Sequence, residues 1–166
     1  MKKGMVVLQI GGLVILILGG FLGGLALKVW HTGKWKTYRS VPGAYQVDLP
    51  APPEFSSGVA PAIFGGAVCS AQLTMPAISY EVMSFDRHLE PTMLLPWLGE
   101  RFEAQQALGS TGADFSFDLG ARGFVHGQLR KGAQHSWILL VVRPTSFALQ
   151  HDVEAMLFFT GFKPLE

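Results

Sequence analysis

The chain has 166 residues, a formal net charge of +1 and a single cysteine, which fits one domain with an appendage and excludes an internal disulfide or a cysteine-based zinc site. The charge is divided. Residues 1–39 carry Lys2, Lys3, Lys28, Lys34, Lys36 and Arg39 with no acid, while residues 40–166 carry seven Lys/Arg against twelve Asp/Glu, an acidic balance that argues against nucleic acid as a partner.

Met5 to Leu27 contains no charged residue. A helix over these 23 residues would be roughly 34 Å long, enough for a hydrocarbon core of about 30 Å. The expected element is a single membrane-spanning helix within residues 1–29. Lys28, Trp30, Lys34, Trp35, Lys36 and Tyr38 follow it, the aromatic and basic types that settle at the lipid headgroups. The competing reading is a cleaved signal peptide with a small-x-small site at Gly24-Leu25-Ala26; the length of the run and the bulky residues beyond that site favour the span. Lys2 and Lys3 favour an N-terminus inside, and the basic residues after the span favour the reverse. Retention of a very short tail places the acidic domain on the periplasmic or extracytoplasmic side of a cell inner membrane.

Six glycines interrupt the run. Gly11, Gly19 and Gly23 are spaced by eight and four, and Gly12, Gly20 and Gly24 repeat that spacing one residue later. Both sets lie along adjacent rows of one helix face. The overlapping GxxxG pairs would admit another helix to backbone contact, so the expected partners are the lipid bilayer and other transmembrane subunits of a membrane complex. A plain anchor with incidental glycines is the alternative.

Residues 30–43 read as a juxtamembrane linker and 44–166 as an extramembrane α+β domain. Ala44–Pro50 is a short alternating strand stopped by proline. Ala51–Pro61 is rich in turn residues and reads as a surface loop. Ala67–Met75 and Ala77–Phe85 read as strands around Pro76, the second with Ile78, Tyr80 and Val82 alternating. Glu90–Gly109 reads as a helix with Leu94, Leu95, Leu98 and Phe102 on one face, and Gly109 as its stop. Phe115–Leu119 is a candidate strand. Gly123–Arg130 and His135–Arg143 form a hairpin around residues 131–134, and the unbroken WILLVV of Trp137–Val142 marks a central strand covered on both faces. Phe147–Phe159 reads as a second helix stopped by Gly161, and GFKPLE as a short extended end. The predicted architecture is α+β, an antiparallel sheet with helices packed on it, behind the N-terminal transmembrane helix.

RGFVHGQLRKGAQHSWILLVVRPTSFALQHDVEAMLFFTGFKP resembles the C-terminal half of PsbP-like domains, and AYQVDLPAPPEF resembles their opening strand and proline turn. The likeness covers residues 44–164 by pattern. It implies an αβα sandwich with an antiparallel sheet, and an accessory or assembly role in membrane complexes rather than catalysis. No site residues carry over from it.

Candidate chemistry is sparse. His31, His88, His126, His135 and His151 form no HExxH and no short His-x-His pair. His88 and Glu90 share a loop, and His151 adjoins Asp152 on a helix where neighbours point about 100° apart. Asp114 and Asp118 on one strand face stand about 13 Å apart, too far for a glycosidase pair. No G-x-S-x-G, Walker A or Rossmann pattern occurs. Cys69 reads as a buried, inert thiol. The expectation is therefore not an enzyme, and no cofactor or metal is assigned. The abundant aromatics include candidates for an exposed partner patch in Pro61–Gly66 and Phe158–Phe162. The favoured function is a non-catalytic, single-span accessory or assembly subunit; the alternative is a membrane-anchored extracytoplasmic protein that binds a lipid or other apolar ligand between sheet and helices.

Overall fold

Five consecutive residues of one strand, Trp137–Val141, are fully buried, so its sequence shows no alternation. The computed structural model describes residues 34–104, 106–111, 113–144 and 152–165. In chain order the elements are β1 (Lys36–Ser40), β2 (Tyr45–Leu49), β3 (Glu54–Val59), β4 (Ala67–Met75), β5 (Ile78–Phe85), α1 (Pro91–Arg101), β6 (Gln106–Thr111), β7 (Asp114–Asp118), β8 (Phe124–Lys131), β9 (Ser136–Arg143), α2 (Val153–Gly161) and β10 (Lys163–Pro164). A seven-stranded sheet runs β3-β4-β5-β9-β8-β7-β6, and a three-stranded sheet runs β1-β2-β10. All the strand pairs are antiparallel. The large sheet thus joins two meanders, β3-β4-β5 and β6-β7-β8-β9, at the β5–β9 seam.

Period-two alternation sorts the side chains of β5 and β9 onto two faces. Met83, Phe85, Ile138 and Leu140 face one core with Leu94 and Leu98 of α1. Tyr80, Val82, Trp137, Leu139 and Val141 point the other way and are buried. On that second face Tyr80 meets Phe158 of α2, and Trp137 meets Phe162; Tyr45 of β2 also packs on Phe162.

Local chemistry fixes the helix ends. Proline at the first position of α1 costs no hydrogen bond. Arg101 ties the end of α1 to the sheet by two hydrogen bonds to Glu81, at 2.8 and 3.1 Å. Asp152 caps α2, its carboxylate accepting from Ala155 N at 2.9 Å. Arg143 at the end of β9 holds the same carboxylate at 2.8 Å and reaches Glu154 at 2.9 Å. Gly127 on β8 lies under the Phe115 ring, and a Cβ there would collide with it and with Leu140. Smallness at that point lets the aromatic fill the core.

The structure corrects the architecture expected from sequence in two respects. The αβα sandwich is instead mostly β, with two antiparallel sheets and, among the described residues, two short helices. Residues 36–40, 54–59 and 106–111, read as linker, loop and helix tail, are strands. The first two lie at sheet edges with much of their surface exposed, so burial imposes little alternation on them. The third lies at the opposite edge from β3 and pairs with β7. Second, the expected transmembrane helix is not found among the described residues. Among the described residues no helix is long and apolar enough to cross a membrane. At 11 and 9 residues, α1 and α2 rise only about 16 and 13 Å. The run Met5–Leu27 lies outside the described residues, so the membrane-spanning and signal-anchor expectations have no structural support.

Candidate functional site

Exposed large hydrophobics occur on β4, α1 and α2, at Met75, Met93, Val153 and Met156, and as a second set on β3 and the turns next to it. Val41, Phe55, Val59 and Ile63 are among the large hydrophobics left exposed. Phe55 and Val59 belong to β3, Ile63 to the loop that follows it, and Val41 to the turn between β1 and β2. Strand β3 is exposed at every one of its six positions and is an edge of the large sheet.

The β1–β2 turn, residues 41–44, is held beside this edge by one carbonyl. Gly43 O accepts from Ser84 Oγ at 2.7 Å and from Trp137 Nε1 at 2.8 Å. Gly43 N donates to Ser40 Oγ at 3.1 Å. A Cβ on Gly43 would sit 2.5 Å from the Tyr45 ring, so the close approach needs glycine. Pinned in this way, Arg39, Ser40, Val41 and Pro42 form one wall of a groove of about 370 Å³, and Phe55, Ser56, Ser57 and Cys69 form the other.

The opposite wall is built by the β3–β4 hairpin. Ser57 stands directly across from Cys69, and Phe55 from Ala71. The hydroxyls of Ser56 and Ser70 bridge the two strands at 2.7 Å. The connecting loop closes with Ala60 N donating to Gly66 O at 2.9 Å, and positive φ angles at Gly65 and Gly66 reverse the chain. Phe64 anchors this loop inward, its ring set edge-on against Phe85 and Trp97.

The electrostatics of the groove are quiet. Burial, assisted by the Asp86 carboxylate, pushes the Cys69 thiol up, which keeps it protonated and a poor nucleophile at neutral pH. Burial likewise holds the Tyr45 phenol above its ordinary value, with Ser40 partly offsetting the effect. At the far end of the sheet burial opposes the Arg143 charge, but Asp152 and Glu154 outweigh it and the guanidinium is held up. Among the described residues no group of three or more His, Cys, Asp or Glu could hold a metal ion.

The sequence-derived candidates fall elsewhere. Gly11, Gly12, Gly19, Gly20, Gly23, Gly24, Lys28 and Trp30 lie outside the described residues. Lys34 is exposed and Trp35 half-buried. Lys36 and Tyr38 sit on β1, opposite Leu49 and Val47 of β2. His88 meets Ala133 O at 3.1 Å, His135 stacks on Trp137, and His126 lies between Ser116 and Val141 in the sheet. Asp114 and Asp118 occupy opposite ends of β7. Asp118 accepts from Gly120 N at 2.7 Å. His31 and His151 lie outside the described residues. Of the two aromatic candidate patches, Phe158, Phe159, Phe162 and Phe64 are buried, and Ile63 alone among the large side chains of Pro61–Gly66 is exposed. Sequence reasoning missed β3; the signal available was the every-other-residue set Phe55, Ser57, Val59, hidden by serine and glycine, which suit loops better than strands.

No family model matches the chain, and neither does any curated protein or solved structure.

Proposed function

We propose that this chain is a non-catalytic accessory or assembly subunit of a larger protein complex, and that its β domain docks through the β3 edge. The observation that carries this reading is β3 itself: six exposed residues at a sheet edge with Phe55 and Val59 turned outward. An edge of this kind presents unpaired N–H and C=O groups, a template for another strand. Burial and the Asp86 carboxylate both favour the protonated Cys69 thiol, which supports binding over nucleophilic catalysis at this groove. The acidic balance from residue 40 onward favours a protein partner over nucleic acid.

In-cell crosslinking followed by native electrophoresis tests the proposal. The full chain is expected in an assembly larger than 18.0 kDa, and Phe55→Ser/Val59→Lys is expected to shift it to the mass of one chain. Migration of the wild-type protein as a single chain in its native cell overturns the reading. A second reading, a small apolar ligand held beside β3, is favoured by the groove volume of about 370 Å³, which lies within the range of ligand pockets. Mass spectrometry of the protein under non-denaturing conditions separates the two, because a retained small molecule belongs only to the second.

A further inference from the structure

We propose that the partner strand is β3 of a second copy of this chain, paired antiparallel across a two-fold axis through Ser57. This rests on the reading of β3 as the docking edge. It adds the partner and the register.

The other edges carry devices that discourage pairing. Strand β1 presents the exposed charges Lys36 and Arg39, β6 is irregular between Ala107 and Gly109, and β10 is two residues long. Charge, bulges and shortness each blunt an edge. Strand β3 has no lysine or arginine, and its register with β4 runs unbroken from Glu54 to Val59.

Symmetry and the pleat select the register. A two-fold axis normal to a sheet maps each face onto itself, so residues paired across it must share a face. Phe55, Ser57 and Val59 share one face; Glu54, Ser56 and Gly58 share the other. Centring on Ser57 sets Phe55 opposite Val59 of the second copy, twice over. These residues are 49% and 87% exposed, and aromatic against β-branched is a favourable cross-strand pair. Ser56 then faces Gly58 of the second copy, around which there is open space. Centring on Ser56 instead sets Phe55 against serine and leaves Val59 beyond the ladder.

Charge agrees with this register. Glu54 is the one charged residue of β3 and lies three positions from the axis. The two Glu54 residues therefore sit at opposite ends, about 20 Å apart, and no like charges oppose. Val41 and Ile63 extend the apolar surface on either side. A five-residue ladder, Phe55–Val59, covers well under the roughly 1,200 Å² at which stable interfaces begin, so the association is weak and concentration-dependent.

Cys69 provides the test. It is the chain's one cysteine and lies directly across from Ser57 on β4. In the proposed dimer the two Cys69 positions are three strand spacings apart, about 14 Å. The full-length chain labelled with a nitroxide at Cys69 is expected to show dipolar broadening at roughly 1 mM protein, a concentration suited to a weak interface. The broadening should vanish on dilution with unlabelled chain and in Val59→Lys. A second variant pair removes any doubt about the label. Ser57→Cys in a Cys69→Ser background is expected to form a disulfide-linked dimer on mild oxidation, because the axis brings two copies of that position together. Ser56→Cys in the same background is expected to stay monomeric. Absence of broadening, or equal crosslinking of the two variants, overturns self-pairing. If the native assembly persists without Cys69–Cys69 coupling, self-pairing fails while docking at β3 stands; if the coupling is present at high concentration but the chain migrates alone in cells, self-pairing stands and the reading as a subunit of a larger complex fails.

Discussion

Strands β9 and β3 belong to one sheet but do opposite work. Strand β9 is flanked by β5 and β8, has α1 over one face, and meets the α2 aromatics and the β1–β2 turn on the other; Trp137–Val141 are wholly buried. Among the described residues strand β3 has a neighbour on one side alone, and all six of its residues are exposed. The difference shows where stability and binding reside. Burial of apolar area stabilises by about 25 cal/mol per Å², so the β5–β9 seam dominates the folding free energy. The β3 edge adds little to it, and its apolar side chains remain available to a partner.

Trp137→Ala gives the largest expected effect. The side chain is fully buried, donates to Gly43 O at 2.8 Å and packs on Phe162. Truncation should cost about 3–5 kcal/mol, read as a lower denaturant midpoint at unchanged slope. It also frees the β1–β2 turn, so the groove wall formed by Arg39–Pro42 should become more open to hydrogen exchange. A cost below about 1 kcal/mol, the level of an ordinary surface change, would mean that the seam is not the source of stability.

Alkaline pH probes the same buried face more gently. Burial holds the Tyr45 and Tyr80 phenols above their ordinary value of 10.0; Glu154 adds to the Tyr80 shift and Arg143 opposes it. Each phenol therefore keeps its proton more tightly in the folded chain than in the unfolded one. The stabilisation is complete below pH 10 and is lost as pH rises above it, at up to about 1.4 kcal/mol per pH unit for each tyrosine. The melting temperature is expected to fall steeply between about pH 10 and pH 12. Tyr45→Phe/Tyr80→Phe should flatten that fall, and an unchanged slope in the double variant would place the alkaline transition elsewhere.

How much of this was legible in the sequence follows the same division. The seam was readable because burial writes patterns: WILLVV announced β9, the alternation of Ile78, Tyr80 and Val82 announced β5, and the residues around Lys131–Gln134 announced the β8–β9 hairpin. The end of α1 was not. The apolar spacing of Leu94, Leu98 and Phe102 suggested a helix running to Gly109, but the chain leaves it at Arg101. Glu103 adopts a positive φ, and Arg122 binds the Phe102 and Glu103 carbonyls from across the fold. Residues 106–111 then pair with β7, a tertiary preference that overrides local helix propensity. The candidate site was the least legible part. Phe55-Ser-Ser-Gly-Val59 is strand only because β4 is beside it, and a groove between the β1–β2 turn and β3 depends on Gly43, Ser84 and Trp137, which are far apart in sequence.

The smallest expected effect bears most directly on the contrast between the two strands. Val59 is 87% exposed, so Val59→Lys should change the unfolding free energy of the dilute chain by less than about 0.5 kcal/mol, as for an ordinary surface position. Val141→Lys, on the buried face of β9, would place a charge where the side chain has no access to water. Denaturant titration at low protein concentration reads both. Near-neutrality of Val59→Lys makes any loss of association in that variant a property of the edge and not of a damaged fold. A cost above about 1 kcal/mol at Val59 would mean that β3 is already sheltered within the single chain, and the contrast between an open edge and a sealed centre would fail.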